Sequence, residues 1–144
     1  MRSFLKKQPD RGAALVEFAV VLPLLLLLLV GIVEFGLLFY NKQVLTNASR
    51  EGARAGIAYK SQTEITQIVV NYCRGNQGLS RLLRFDTDTD PSVTVTGAMG
   101  TYGNDLTVDV SYDYAFLVPG LFSSGPTLQL TARTVMKMES ASSP

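Results

Sequence analysis

Between Ala13 and Tyr40 the chain is apolar at most positions, and from Phe18 to Val33 no residue is charged. That run falls a little short of the ~20 residues a bilayer span needs. It becomes long enough by continuing past Glu34 through Phe35, Leu37, Leu38, Phe39 and Tyr40, with Phe39 and Tyr40 placed where an aromatic belt forms. Beyond Tyr40 the pattern becomes one-sided: Val44, Ala48, Gly52, Ala55 and Tyr59 share one face at helical spacing. No proline interrupts Asn41–Tyr59, so one helix is expected from about Ala13 to about Tyr59. Pro23 removes one backbone donor inside it, which membrane helices tolerate, and Gly31 is a second soft point.

Ser61 followed by Glu64 has the form of a capping box and opens a shorter helix. Its stripe is Ile65, Ile68, Val69, Tyr72 and Cys73, and Gly75 and Gly78 follow as stop signals. Leu79–Phe85 fits either a helical turn or an irregular segment. The period then changes to two. Ser92–Thr96 alternates, and Asn104–Val118 places Leu106, Val108, Val110, Tyr112, Tyr114 and Phe116 on one face. Thr107, Asp109, Ser111 and Asp113 take the other face. Thr127–Met138 groups Leu128, Leu130, Ala132, Thr134 and Met136. Three strands with one apolar face each predict a small antiparallel sheet that needs a helix to cover it. Turn residues separate them at Gly97, Gly100, Gly103-Asn104 and Pro119–Pro126. The expected class is α+β. Residues 1–12 form a basic leader, 13–59 a long helix whose first half spans the membrane, and 60–144 an exported α+β domain.

Charge adds a direction. Arg2, Lys6, Lys7 and Arg11 stand against Asp10 before the span, so the N-terminus is expected in the cytoplasm and the C-terminal part outside. A cleaved secretory signal would share the basic front. It would end in a small-residue site, whereas here Glu34 and more aromatic-rich apolar sequence follow, which favours a retained anchor. The net charge of +1 gives no basic field for nucleic acid. With 144 residues, no histidine and one cysteine, Cys73, the chain has no His-based acid–base pair, no intrachain disulfide and no Cys/His zinc site. It carries no phosphate-binding glycine loop. Asp86–Pro91 resembles the start of a calcium loop, but Pro91 and Gly97 occupy the positions that need glycine and glutamate. An acidic turn is the reading for it, and Cys73 reads as a small buried residue. No enzymatic activity, cofactor or metal is expected.

Two features remain: Glu17 with Gly12 ahead of it, and the run Ala48–Gly56. Gly12, Ala13-Ala14-Leu15-Val16 and Glu17-Phe18 together resemble a type IV prepilin-like processing site. With Glu34-Phe35-Gly36 and "REGARAG" (Arg50–Gly56), the stretch from about 11 to 59 resembles the TadE-like pseudopilins of the tight adherence (Tad/Flp) pilus system. TadF and TadG relatives share parts of the pattern. The resemblance implies a minor pilin-like subunit, cut by a prepilin peptidase after Gly12, with Ala13 as first mature residue and Glu17 as fifth. It also implies a bacterial inner-membrane location and contact with other pilin-like subunits and the assembly platform. Pilins of the wider class often begin with phenylalanine, and this chain would begin with alanine.

A carboxylate near the front of a membrane span is a functional hypothesis by default. After cleavage a free ammonium would appear at Ala13, one turn from Glu17, and a neighbouring subunit's ammonium can neutralise that carboxylate in low dielectric. The simpler alternative is that Glu17 marks the cytoplasmic interface. Glu34 repeats the local string Val-Glu-Phe and reads first as a glutamate at the outer edge, second as another subunit contact. Ala48, Gly52 and Gly56 recur every fourth residue and are helix-packing positions. Their expected neighbour is the chain's own sheet, through Leu106, Val108 and Val110, ahead of a partner helix. Arg50 and Arg54 are expected to stay wet or to pair with strand acids such as Asp109. The alternative function is an unprocessed, membrane-anchored binding or adhesin module.

Overall fold

A computed structural model describes residues 11–75, 90–116, 118 and 127–139. The elements are α1 (Arg11–Ile57), α2 (Gln62–Arg74), β1 (Ser92–Thr96), β2 (Asp105–Ala115) and β3 (Thr127–Lys137). The order confirms the α+β class. Leu79–Phe85, most of the acidic stretch at 86–91, the Pro119–Pro126 connection and residues 1–10 of the basic leader lie outside the described residues. The chain divides into two units, Met1–Phe35 and Gly36–Pro144.

Helix α1 runs for 47 residues, and Pro23 lies within it. Among the described residues it is the one helix long and apolar enough to cross a membrane. Its end is built by local bonds. The Ala58 N–H donates to the Ala55 carbonyl at 3.2 Å and the Tyr59 N–H to that of Gly56 at 3.1 Å, tightening the last turn. Tyr59 then takes a left-handed φ of 61°. A side chain rarely adopts that conformation, and here the Tyr59 hydroxyl is tied to the Glu139 carbonyl at 2.7 Å.

Helix α2 starts at the expected box. The Glu64 N–H donates to Ser61 Oγ at 3.3 Å, and the Ser61 N–H donates to Glu64 Oε2 at 2.9 Å. The helix ends at Gly75, whose φ is 81°. Ile65, Val69 and Cys73 are its buried stripe, with Ile68 and Tyr72 half-buried.

The sheet is antiparallel with β2 in the middle. Val95 lies opposite Val108, and Val110 lies opposite both Val93 and Ala132. Leu106, Val108, Val110, Tyr112 and Tyr114 are buried, so the period-two reading of β2 holds residue by residue. They join Leu45, Ala48, Ala53, Ile65 and Val69 in one core within the Gly36–Pro144 unit. Burial of this kind, about 25 cal/mol per Å2 of apolar surface, is what holds so small a unit together.

One expectation changes. Leu128, assigned to the buried face, is 42% exposed, because it sits at the far end of β3 from the middle of the sheet where α1 packs. Arg50 and Arg54 stay wet, one of the two outcomes expected for them, and Asp109 finds its partner within the sheet. The strand register sets it opposite Arg133, whose Nε lies 2.5 Å from Asp109 Oδ1, while Arg54 reaches Glu51 at 3.6 Å. Lys137 pairs with Asp105 across the same ladder at 2.9 Å, so opposite charges face each other on the wet side of the sheet.

Candidate processing and assembly site

Gly12, Ala13, Glu17 and Phe18 occupy the first two turns of α1, and all four are exposed. The rise from Ala13 to Glu17 is about 6 Å, one turn along the same side of the helix. A Cβ placed on Gly12 would meet nothing within 4 Å. The fold of the described residues therefore gives no packing reason for glycine there.

The small-residue face is different. Ala48 is fully buried. A Cβ on Gly52 would lie 2.5 Å from Val69 Cγ2 and 3.5 Å from Val108 Cγ1. One on Gly56 would run into Leu106 and would lie 2.9 Å from Ile65 Cδ1. The neighbours thus come from both α2 and β2, where the strand pattern alone points to β2. Two glycines in a helix cost about 1 kcal/mol each against alanine, and the close approach they allow is the offset. The two groups of residues belong to separate units, Gly12–Phe18 to the first and Ala48–Gly56 to the second.

Alternation did not single out three buried polar residues: Glu34 at 2% exposure, and Asn41 and Ser49 at 0%. The signal available is their spacing, since Glu34 and Asn41 stand two turns apart on one side of α1. Ser49 shares a 2.8 Å hydrogen bond with Thr134 Oγ1 and donates to the Thr46 carbonyl at 2.9 Å. Lys42 Nζ donates to the Thr131 carbonyl. These bonds fasten α1 to β3.

Several charged groups elsewhere pair within the fold. The Ser61 backbone N–H, then its hydroxyl and the nearby Lys60, hold the Glu64 carboxyl below its ordinary value. Hydrogen bonds and attraction from Asp90 and Asp109 raise Arg74 and Arg133 respectively. Arg74 Nε donates to Asp90 at 2.9 Å, which ties the end of α2 to the approach to β1. Cys73 is a buried thiol on the apolar stripe of α2. A hollow of about 280 Å3 lined by Asp90, Ser92, Ser111, Tyr112, Asp113 and Gln129 is polar and open, and holds no nucleophile–base pair.

The described residues thus form an α+β chain with one helix long and apolar enough to cross a membrane and a helix-covered, three-stranded sheet. The sequence comparison is narrower: residues 12–54 match the model of the family described as TadE-like protein. The matched stretch ends on α1 and covers Gly12, Glu17, Glu34, Ala48 and Gly52. No curated protein matches the chain, and no solved structure does.

Proposed function

We propose that the chain is a membrane-anchored, pilin-like subunit of a Tad-type pilus, a pseudopilin that takes part in assembly of a filament used in surface adherence. The observation that carries this reading is that the TadE-like match falls on the span and on the helix face that seats the sheet. In this reading a prepilin peptidase cuts between Gly12 and Ala13. The glycine that no packing requires is then a requirement of the peptidase, whose site must accept the residue before the cut. The N-terminus faces the cytoplasm, the Gly36–Pro144 unit is exported across the bacterial inner membrane, and other pilin-like subunits and the assembly platform are the partners.

Glu17 acts at the joining step. Its carboxylate is exposed on α1 and would face hydrocarbon in an isolated subunit. The Ala13 ammonium of a neighbouring subunit offsets that cost, so the residue favours the assembled state over the free one.

The test is the mass of the native protein's N-terminus. A mature chain beginning at Ala13, and retention of Met1–Gly12 in the Gly12→Leu variant with insertion unaffected, is the expected result. An endogenous chain that keeps Met1–Gly12 beside an active prepilin peptidase would overturn the processing step.

A further inference from the structure

The outer side of β3 is an edge of the sheet, and the strand register fixes which of its backbone groups look outward. The Met138 N–H donates to the Asn104 carbonyl at 2.8 Å, and the Met138 carbonyl accepts from the Gly103 N–H at 3.0 Å. Hydrogen-bonded positions recur at every second residue of an antiparallel pair, so Met136, Thr134 and Ala132 also bond inward to β2. Lys137, Val135, Arg133 and Thr131 therefore turn their N–H and C=O groups away from β2. Two bonds from α1 fit that parity. Lys42 Nζ donates to the Thr131 carbonyl, and the Tyr59 hydroxyl donates to the Glu139 carbonyl at 2.7 Å. Between these two ties, the outward backbone groups of Arg133, Val135 and Lys137 meet no partner among the described residues.

Such an edge is a template for another strand unless something blunts it. Proline, a bulge and brevity do not: the 11 residues of β3 pair one to one with β2, and none is proline. Charge does, in part. Arg133 and Lys137 stand four residues apart on the wet face, with Val135, 52% exposed, between them. Two β3 edges paired antiparallel about Val135 would set Arg133 of each copy opposite Lys137 of the other, and like charges directly opposite destabilise a sheet. The two cations thus guard the edge against a second copy. They do not guard it against acid. On its inner side β3 already faces Asp109, Thr107 and Asp105 in the same three rows, and both aspartates pair with these cations.

We propose that the Arg133–Lys137 edge is a strand-addition site for an extended segment of another protein, one that carries acidic residues on both sides of an uncharged one. Seated antiparallel, the segment bonds to the free N–H and C=O groups of Arg133, Val135 and Lys137, and its two carboxylates fall beside the two cations. Both cations keep donors for this. Asp109 engages Nε and one terminal nitrogen of Arg133, leaving the other terminal nitrogen, and an ammonium such as that of Lys137 has three donors. The spacing on the segment is the one that Asp105, Thr107 and Asp109 show on β2, with an acid at every fourth position and a small uncharged residue midway. The site lies wholly within the Gly36–Pro144 unit and does not depend on the chain being a pilus subunit.

The probe is a fluorescein-labelled synthetic peptide copying Asp105–Ser111, added to the full chain in detergent micelles. Fluorescence anisotropy reads its binding, and amide hydrogen exchange reads where it binds. In the free chain the Arg133, Val135 and Lys137 amides should exchange fast while those of Thr134 and Met136 are protected, and the peptide should slow the first three. The same peptide with lysine at both aspartate positions should bind about tenfold more weakly. Val135→Pro removes an outward N–H that the β2 ladder does not use, so it should keep the Tm and lose the peptide. An aspartate peptide that does not bind, a lysine peptide that binds equally well, or a folded Val135→Pro chain that still binds would overturn the proposal. So would protection of Val135 before any peptide is added; if that protection grows with protein concentration, the edge pairs with a second copy instead. Should Val135→Pro fail to fold, the two peptides and the exchange pattern decide on the wild-type chain alone.

Discussion

Three glycines of α1 stand in different surroundings. Gly12 and Gly36 have empty space where a Cβ would go, and Gly52 has Val69 and Val108. Substitution should therefore act differently at Gly36 and at Gly52. Gly36→Ala gains helix propensity without a clash and should leave stability unchanged or raise it by about 1 kcal/mol. Gly52→Leu forces a branched side chain between α2 and β2 and should cost about 1–3 kcal/mol, a fall in Tm of roughly 5–15 °C for a unit of this size. Thermal melts of the detergent-solubilised full chain measure both. A Gly52→Leu protein that melts unchanged but no longer associates with other pilin-like subunits would move the glycine face to an intermolecular contact. Sequence spacing placed Ala48, Gly52 and Gly56 on one face because helical period is local information. It did not say that Ile65 and Val69 fill half of the gap, since that depends on how α2 folds back. Asp109 teaches the same thing: its partner Arg133 is fixed by strand register, which the alternation of either strand leaves open. Gly12 and Ala13 are legible only as a motif, because the proposed processing would leave no mark on the packing of the chain that is cut.

Among the elements, α2 has the clearest start and stop. Ser61, Glu64 and Gly75 announce a capped helix in the sequence, and the bonds they make are local, so nothing distant has to be known to predict them. Ser61→Ala removes the side-chain acceptor for the Glu64 N–H and should cost about 1 kcal/mol. The same box gives α2 a pH dependence. The folded Glu64 carboxyl is held below the ordinary value of 4.5, so its contribution is fully present above that value and is lost as pH falls through the lowered one. The Tm difference between wild type and Glu64→Ala should be largest near neutrality and close in acid. A difference that persists unchanged to low pH would show that the carboxylate is not what the box depends on. β3 is the counter-example. Its alternation is as regular as that of β2, yet Leu128 stays exposed, because being on the right face does not put a residue under the helix.

At the scale of the whole molecule, the proposed role turns on one carboxylate in a long apolar helix. Glu17→Ala removes a charge from the span, so expression and membrane insertion should be intact or improved. Pilus formation should be impaired, and crosslinks between this chain and other pilin-like subunits should be fewer. Normal pili from the variant would reduce Glu17 to a marker of the membrane interface. The ties between α1 and the last strand have a consequence in time. Lys42 is joined to a residue 89 positions later, Ser49 to one 85 later and Tyr59 to one 80 later. The helix leaves the ribosome well before its closing partner, which follows some 80–89 residues later. Contacts so far apart in sequence form slowly, because the loop they close must be ordered before they contribute. Throughout synthesis of the intervening residues, the side of α1 that will hold β3 is bare, and a chain stalled before Thr127 has nothing to cover it. Such a stalled or slowly closing chain is the form most exposed to proteases and holding chaperones.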